Sequence, residues 1–320
     1  MNEDQTELTP SESPSDKTIE AEEKVQQVTP KNIRVMSVIR YGNAGMNDVE
    51  NMTEEDSLKV REVIYDERGH VLQETEFSED GEPAEQFIRT YDDKGNIIGM
   101  QHFYEGELSE KTQYEFNGKG LLVNEKLQYA DGSFMSTDYQ YDENDNVTEK
   151  RVRDEEGNLD SLETSRYDGK QLVELNKYNG SGELMESRKI TYRSDDPEKI
   201  KEEVTYEAAT GIELRTVFLD DETGNITYNK EGKVHSRQKM VFDEKKRVTE
   251  THISTFSGNY QYKYTYDEFD NVVEEERLLG GTTFFKAIIR YNEYGALHAR
   301  SVTEMNSGLF TDVYQYQYFA

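Results

Sequence analysis

The chain has no cysteine and no tryptophan, five prolines, and hydrophobic residues at only 33% of its 320 positions. Without cysteine there are no disulfides, no thiolate metal sites and no thiol nucleophile. No apolar run approaches the roughly 20 residues that a membrane-spanning helix needs, and no signal-peptide core is present. Bases are scarce too: 37 Lys and Arg stand against 67 Asp and Glu, a formal charge of −30. That balance argues against nucleic acid and against anionic membranes, both of which attract basic surface. No glycine-rich phosphate loop or Ser nucleophile motif occurs, and His70, His102, His235, His252 and His298 share no ligand spacing. These absences lead to an expectation of a non-enzymatic protein without cofactor, metal or membrane insertion, most simply placed in the cytoplasm. The apolar fraction is also low for a compact globule of this length.

What the chain has instead is a beat. Tyr41, Tyr65, Tyr91, Phe116, Tyr141, Tyr167, Tyr192, Phe218, Phe242, Tyr266, Tyr291 and Tyr316 follow one another at intervals of 24 to 26 residues. A register held over 275 residues marks a repeat protein. Asp directly follows six of these aromatics, as at Tyr65-Asp66, Tyr91-Asp92 and Tyr141-Asp142. Four residues after the aromatic there is often Gly, at positions 45, 69, 95, 120 and 295. Asp opens a type I turn by hydrogen-bonding the backbone two residues on, and the later Gly supplies the positive φ that lets the turn close a hairpin. Asp145 and Asp270 occupy the Gly slot elsewhere, and Asp tolerates the left-handed region. Lys246 in the same slot has no such explanation.

A second set of glycines, from Gly81 to Gly308, marks another turn halfway through each repeat. Between turns lie segments of about eight residues with period-two alternation, as in Tyr260-Gln-Tyr262-Lys-Tyr264-Thr-Tyr266. The reading is all-β: about eleven 25-residue hairpins, or about 21 strands, in an elongated, twisted or coiled antiparallel sheet some 100 Å long. Residues 1–32 hold three of the five prolines and no aromatic, and are expected to form a disordered acidic tail ahead of a single repeat domain at 33–320.

The turns Tyr65-Asp-Glu-Arg-Gly69, Tyr91-Asp-Asp-Lys-Gly-Asn96, Tyr141-Asp-Glu-Asn-Asp-Asn146 and Tyr266-Asp-Glu-Phe-Asp-Asn271 resemble those of the bacterial YD-repeat (Rhs-type) proteins. The pattern covers roughly residues 40 to 320. The resemblance implies a spiral sheet of hairpins; in large members such a sheet encloses a toxic C-terminal domain. Here the repeats run to the last residue, so the expectation is a hairpin array without that domain.

Two surfaces follow as candidates. Tyr65, Tyr91, Phe116, Tyr141, Tyr167, Tyr192, Phe218, Phe242, Tyr266 and Tyr291 are expected to form a structural ladder, their rings stacking between neighbouring hairpins. The terminal run, with Tyr314, Tyr316, Tyr318 and Phe319 and a single charge at Asp312, reads as an exposed edge strand. It is expected to take a protein partner or a second copy by strand addition. Tyrosines outside the beat, such as Tyr262 and Tyr264, offer an alternative: carbohydrate or cell-surface binding. Acidic turns that look like calcium loops lack the fixed bidentate glutamate.

Overall fold

The computed structural model describes residues 32–48, 51–53, 55, 57–305 and 308–319; the expected acidic tail lies outside them apart from Asn32. It contains twenty-two strands and, among the described residues, no α-helix. The first eight are β1 (Ile33–Gly42), β2 (Ser57–Tyr65), β3 (Val71–Phe77), β4 (Pro83–Tyr91), β5 (Ile97–Tyr104), β6 (Glu107–Phe116), β7 (Leu122–Tyr129) and β8 (Phe134–Tyr141). Next come β9 (Val147–Arg153), β10 (Leu159–Asp168), β11 (Gln171–Asn179), β12 (Leu184–Tyr192), β13 (Ile200–Glu207), β14 (Ile212–Phe218) and β15 (Gly224–Asn229). The last are β16 (Val234–Phe242), β17 (Val248–Thr255), β18 (Gly258–Tyr266), β19 (Val272–Leu279), β20 (Thr282–Tyr291), β21 (Leu297–Glu304) and β22 (Gly308–Tyr318).

Each strand pairs antiparallel with the next, and β22 pairs with β1 from Ile33↔Tyr318 to Gly42↔Phe310. The sheet is therefore a closed up-and-down barrel, not the elongated open array expected from the repeats. Parity explains the missing strand in the count: an antiparallel ring closes only with an even number. The last hairpin is completed by the chain's own beginning, since β1 takes the place that would follow the register aromatic Tyr316. Tyr41 consequently lies at the opposite end of the barrel from the other eleven beats, paired with Ser57 and Thr311. If circular, a ring of this many tilted strands is about 45 Å across between backbones.

The curvature has a local cause. At the register aromatic of nine even-numbered strands the ladder slips by one residue, as between Thr90 and Tyr91 or Thr265 and Tyr266. Such bulges bend the strand and sharpen the twist, so a repeated bulge curls the sheet in one direction. The bulged residues opposite are the aliphatic doublets of the sequence, Val71-Leu72, Leu172-Val173 and Val272-Val273 among them.

The turns follow the expected chemistry. The Asp92 carboxylate accepts from the Lys94 and Asn96 backbone N–H groups at 2.9 and 2.8 Å, and Asp142 does the same for Asn144 and Asn146. Gly95 has φ 89°, and Asp145, Asp270 and Lys246 occupy its slot at 62°, 69° and 65°. Lys246 thus takes a left-handed conformation for which its side chain offers no help. The first loop departs from this pattern: it runs over residues 43–56 between β1 and β2, and Gly45 does not take the positive φ of the turn glycines.

Candidate functional site

Paired residues share a face, and alternation carries two faces around the ring. Through β6 to β18 one face is shielded and the other open: Thr112 lies between exposed Lys111 and Gln113, and Ile190 between exposed Lys189 and Thr191. On the concave side of a closed sheet side chains converge, so the shielded face is the inner one. It carries Phe87, His102, Tyr114, Tyr139, Tyr262, Tyr264 and Tyr314, together with the register aromatics from Tyr65 to Tyr316.

The register aromatics do not stack on one another. They end alternate strands, about 9.6 Å apart, which exceeds the roughly 4.5–7 Å of ring contact. Instead they form a chain of hydroxyl latches. Tyr91, Tyr141, Tyr192, Tyr266, Tyr291 and Tyr316 donate to the carbonyls of Val71, Leu122, Leu172, Val248, Val272 and Leu297, at 2.6–3.1 Å. Each acceptor is the first or, for Leu172, the second residue of the odd-numbered strand of the preceding hairpin, beside its bulge, where a ladder bond is lost. Phe116, Phe218 and Phe242 lack the hydroxyl; Tyr65 and Tyr167 are half-buried. The gap between rings is filled by the residue five after the aromatic: His70 stacks on Tyr91 at 4.7 Å, and the Arg247 guanidinium lies 4.5 Å from the Tyr266 ring.

The C-terminal run is not an edge. β22 lies between β21 and β1, so Tyr314, Tyr316, Tyr318 and Phe319 present no free ladder for strand addition; Phe319 N–H donates to Asn32 O at 2.9 Å. Tyr314 and Tyr316 face inward. The lone charge Asp312 is buried and forms a bidentate pair with Arg40 of β1, at 2.7 and 2.9 Å; Arg40 also lies over the Phe310 ring at 4.2 Å. That bond holds the guanidinium pKa above its ordinary value. The strand expected to recruit a partner closes the chain on itself.

Away from the register, inward aromatics gather in two sectors. One runs over β4–β8: Phe87 stacks on His102 with centroids 4.4 Å apart, and the Tyr139 hydroxyl donates to Glu125 at 3.0 Å. Burial, with Glu125 alongside, pushes the Tyr139 pKa far up. The other sector spans β18–β22, where burial and the neighbouring Glu275 push Tyr264 up to about 12. Between them, the inner face of β10–β16 carries, away from the register, small or aliphatic groups such as Ser165, Thr205, Thr216 and Leu175 and the charged pair Arg188–Glu203, and Tyr178, Tyr206 and Tyr228 face outward. Each sector gathers residues up to two hairpins apart, from Phe87 to Tyr139 and from Tyr262 to Tyr314, which spacing alone did not connect.

Inward charges are mostly satisfied within the wall. Arg188 bonds Glu203 at 2.6 and 3.2 Å, Arg277 bonds Glu275 at 2.6 Å, and Arg61 and Arg89 both reach Glu74. Ion pairs join residues of the same strand, neighbouring strands or successive turns, and strand packing runs substantially between sheet neighbours. Among the described residues no cluster of His, Asp and Glu is arranged to hold a metal ion. The outward face bears charges along nearly the whole ring, including Lys111, Asp138, Arg166, Lys189, Arg237 and Lys263.

No family model matches the chain, and no curated protein matches it. Among solved structures it is similar to TcdB2-TccC3 without its hypervariable C-terminal region, at 14% identity and a TM-score of 0.33 over 82% of this chain and 16% of that one. The Photorhabdus luminescens Tc holotoxin pore gives 14% identity and a TM-score of 0.32, again over 82% and 16%. This chain thus spans about a sixth of the length of those toxin chains. A porin-like protein from Bacteroides uniformis gives 9% identity and a TM-score of 0.32 over 89% of this chain and 96% of that one. Likenesses of this size bear on no residue and no role.

Proposed function

We propose that the protein is a non-enzymatic binding barrel that holds a polypeptide against its inner face. The observation that carries this reading is the closed ring whose inner wall carries aromatic sectors and carboxylate–guanidinium pairs, with Tyr139, Glu125, Arg188 and Glu203 only half-buried. A barrel of about this many strands is wide enough to hold a folded plug, whereas one of about eight strands is filled by its own side chains. Tyr and Arg are the residues that most often anchor protein contacts. The outer wall favours water over lipid, because Lys or Arg on a lipid-facing strand costs about 2–4 kcal/mol at the bilayer midplane.

The test is photo-crosslinking in source cells, with a benzophenone side chain replacing Tyr264 or, as the outward control, Lys263. A defined polypeptide adduct is expected from the inward position alone. Equal labelling from both positions, or none from either, overturns the proposal. A second reading, a carbohydrate guest, rests on the Tyr139–Glu125 pair, where a ring face and a carboxylate lie together as sugars require. Glycan-array binding that is lost in Tyr139→Ala selects it.

A further inference from the structure

Acid stands at 67 of the 320 positions, yet three successive strands, β15, β16 and β17, contain one carboxylate between them, Glu250. On β16, Arg237 and Lys239 occupy successive outward positions, both exposed. Arg237 stands opposite Ile226 and Ser254, and Lys239 opposite Gly224 and His252. Neither base forms an ion pair or a side-chain hydrogen bond among the described residues. Other outward bases are matched: Arg166 and Lys189 share Glu174 at 3.2 and 3.8 Å, and Arg215 bonds Glu202 at 2.8 Å. The carboxylates nearest the β16 bases are engaged elsewhere. Glu250 lies 2.8 Å from His252 Nε2 and accepts from the Gln261 amide at 3.0 Å. Asp221, in the turn before β15, feels the Lys239 charge but accepts from the Thr223 N–H and hydroxyl at 3.0 and 2.7 Å. Arg237, Lys239, Val241, His252 and Ser254 line a depression of about 370 Å³ on this wall.

We infer that this depression binds the phosphate group of a small phosphate monoester. Two unmatched cations one strand repeat apart, about 6.6–6.8 Å, suit a dianion, and a phosphate monoester carries about −1.5 to −2 at neutral pH. The Arg237 guanidinium offers a planar fork to two phosphate oxygens, and Lys239 adds a point charge. The Ser254 hydroxyl, opposite Arg237, is a further donor. Val241 leaves an apolar edge for the organic part of the ester. The volume is at the small end of ligand sites, which run from about 300 to 1,000 Å³. A polyanion such as nucleic acid would meet the −30 of the rest of the molecule, whereas a small ester meets the local facet alone. The site is on the outer wall and stands or falls apart from the inner-face reading.

The test uses the full chain and phenyl phosphate, with binding read by phosphorus NMR from line width and shift. Arg237→Gln combined with Lys239→Gln is expected to weaken binding at least tenfold. The melting temperature of the free protein is expected to stay the same, because no ion pair is removed. Arg166→Gln combined with Lys189→Gln takes the same two charges from the outer wall at Glu174 and is expected to leave binding unchanged. Equal weakening by the two double variants would mark a response to net charge and overturns the inference. Absence of binding by the unsubstituted chain at millimolar phenyl phosphate overturns it too. Vesicles of phosphatidylcholine with phosphatidic acid separate a lipid head group from a free ester. Vesicle binding that the first double variant abolishes, with no binding of phenyl phosphate, overturns the small-ester assignment in favour of lipid.

Discussion

The wall from β19 through the seam to β2 and the long arc from β3 to β18 are built from the same repeat but held by different means. Among the described residues, eleven of the twelve buried hydrophobic side chains belong to the first region or to the β1–β2 loop, and Ile190 alone to the second. Phe285, Ala287 and Val302 form a core cluster, flanked by Phe284 and Phe310. The loop after β1 reinforces it: the Thr311 hydroxyl donates to Ala44 O at 2.7 Å, and Asn43 N–H to Leu309 O at 2.7 Å. The arc relies on ladder bonds, hydroxyl latches and turn-to-turn links such as Lys245–Asp270. Sequence separation accounts for the contrast. Arc contacts join adjacent hairpins, whereas Arg40 and Asp312 lie 272 residues apart, and closing a flexible loop of that length costs about 5 kcal/mol beyond a constant. Apolar burial is concentrated where that cost must be offset.

The contrast breaks most severely if β1 is removed. A chain beginning after residue 42 leaves β2 and β22 as open edges. It is expected to lose cooperative melting and to form concentration-dependent oligomers in light scattering; a folded monomer would show that the seam is dispensable. Next in size, Phe285→Ala is expected to cost about 3 kcal/mol in urea denaturation. Leu175→Ala, half-buried in the arc, is expected to cost about 1 kcal/mol. Equal losses would erase the distinction.

Titration separates the inward tyrosines, which lie in both regions, from the turns. Tyr264 and Tyr316 have pKa values raised by burial, so the stability they contribute is complete below about pH 10 and is lost as pH rises through the folded values. The melting temperature is expected to fall from about pH 10 to 12, with tyrosinate absorbance lagging behind that of free tyrosine. The arc's turns respond at the other end of the scale. Asn96 and Asn146 hydrogen bonds hold Asp92 and Asp142 below their ordinary pKa, so their contribution is present above about pH 4 and lost below it. Asp92→Ala with Asp142→Ala is expected to flatten the acid limb and leave the alkaline limb intact.

Single latches come next. Tyr91→Phe or Tyr141→Phe is expected to cost about 1 kcal/mol each, and the pair to add, being two hairpins apart. The smallest effect concerns Lys246: Lys246→Gly is expected to stabilise by about 0.5 kcal/mol, because glycine takes its φ of 65° without strain. At the corresponding Gly95, Gly95→Lys is expected to destabilise, since an added Cβ would meet His70 Nε2 at 2.9 Å.

The repeat grammar was legible because turn and strand chemistry are local. Asp92 and Gly95 need only each other and the intervening backbone, and Tyr260 to Tyr266 declare their face by alternation. The ladder was legible as a position and not as an interaction. Ring stacking is the usual partner of such a beat, but the bulge beside Val71 left a carbonyl for the Tyr91 hydroxyl. Closure was the least legible feature. Nothing in Tyr314-Gln-Tyr316-Gln-Tyr318 reveals that Val38 and Met36 will lie beside it, because pairing ends so distant in sequence depends on curvature summed over every intervening bulge. The departure was nevertheless present in the first beat: Tyr41 is followed by Gly42 instead of Asp, and no turn glycine falls between Gly45 and Gly69. There the hairpin rule lapses and the ring begins.

Completion of the last hairpin by the first strand also makes the width of the barrel a matter of arithmetic. One repeat contributes two strands, so inserting or deleting a repeat preserves the even count and leaves the β22–β1 pairing intact. Each such step alters the circumference by about 13 Å and the diameter by roughly 4 Å. The width of this ring is therefore discrete, and a version with nine or thirteen hairpins would close by the same seam at a different gauge.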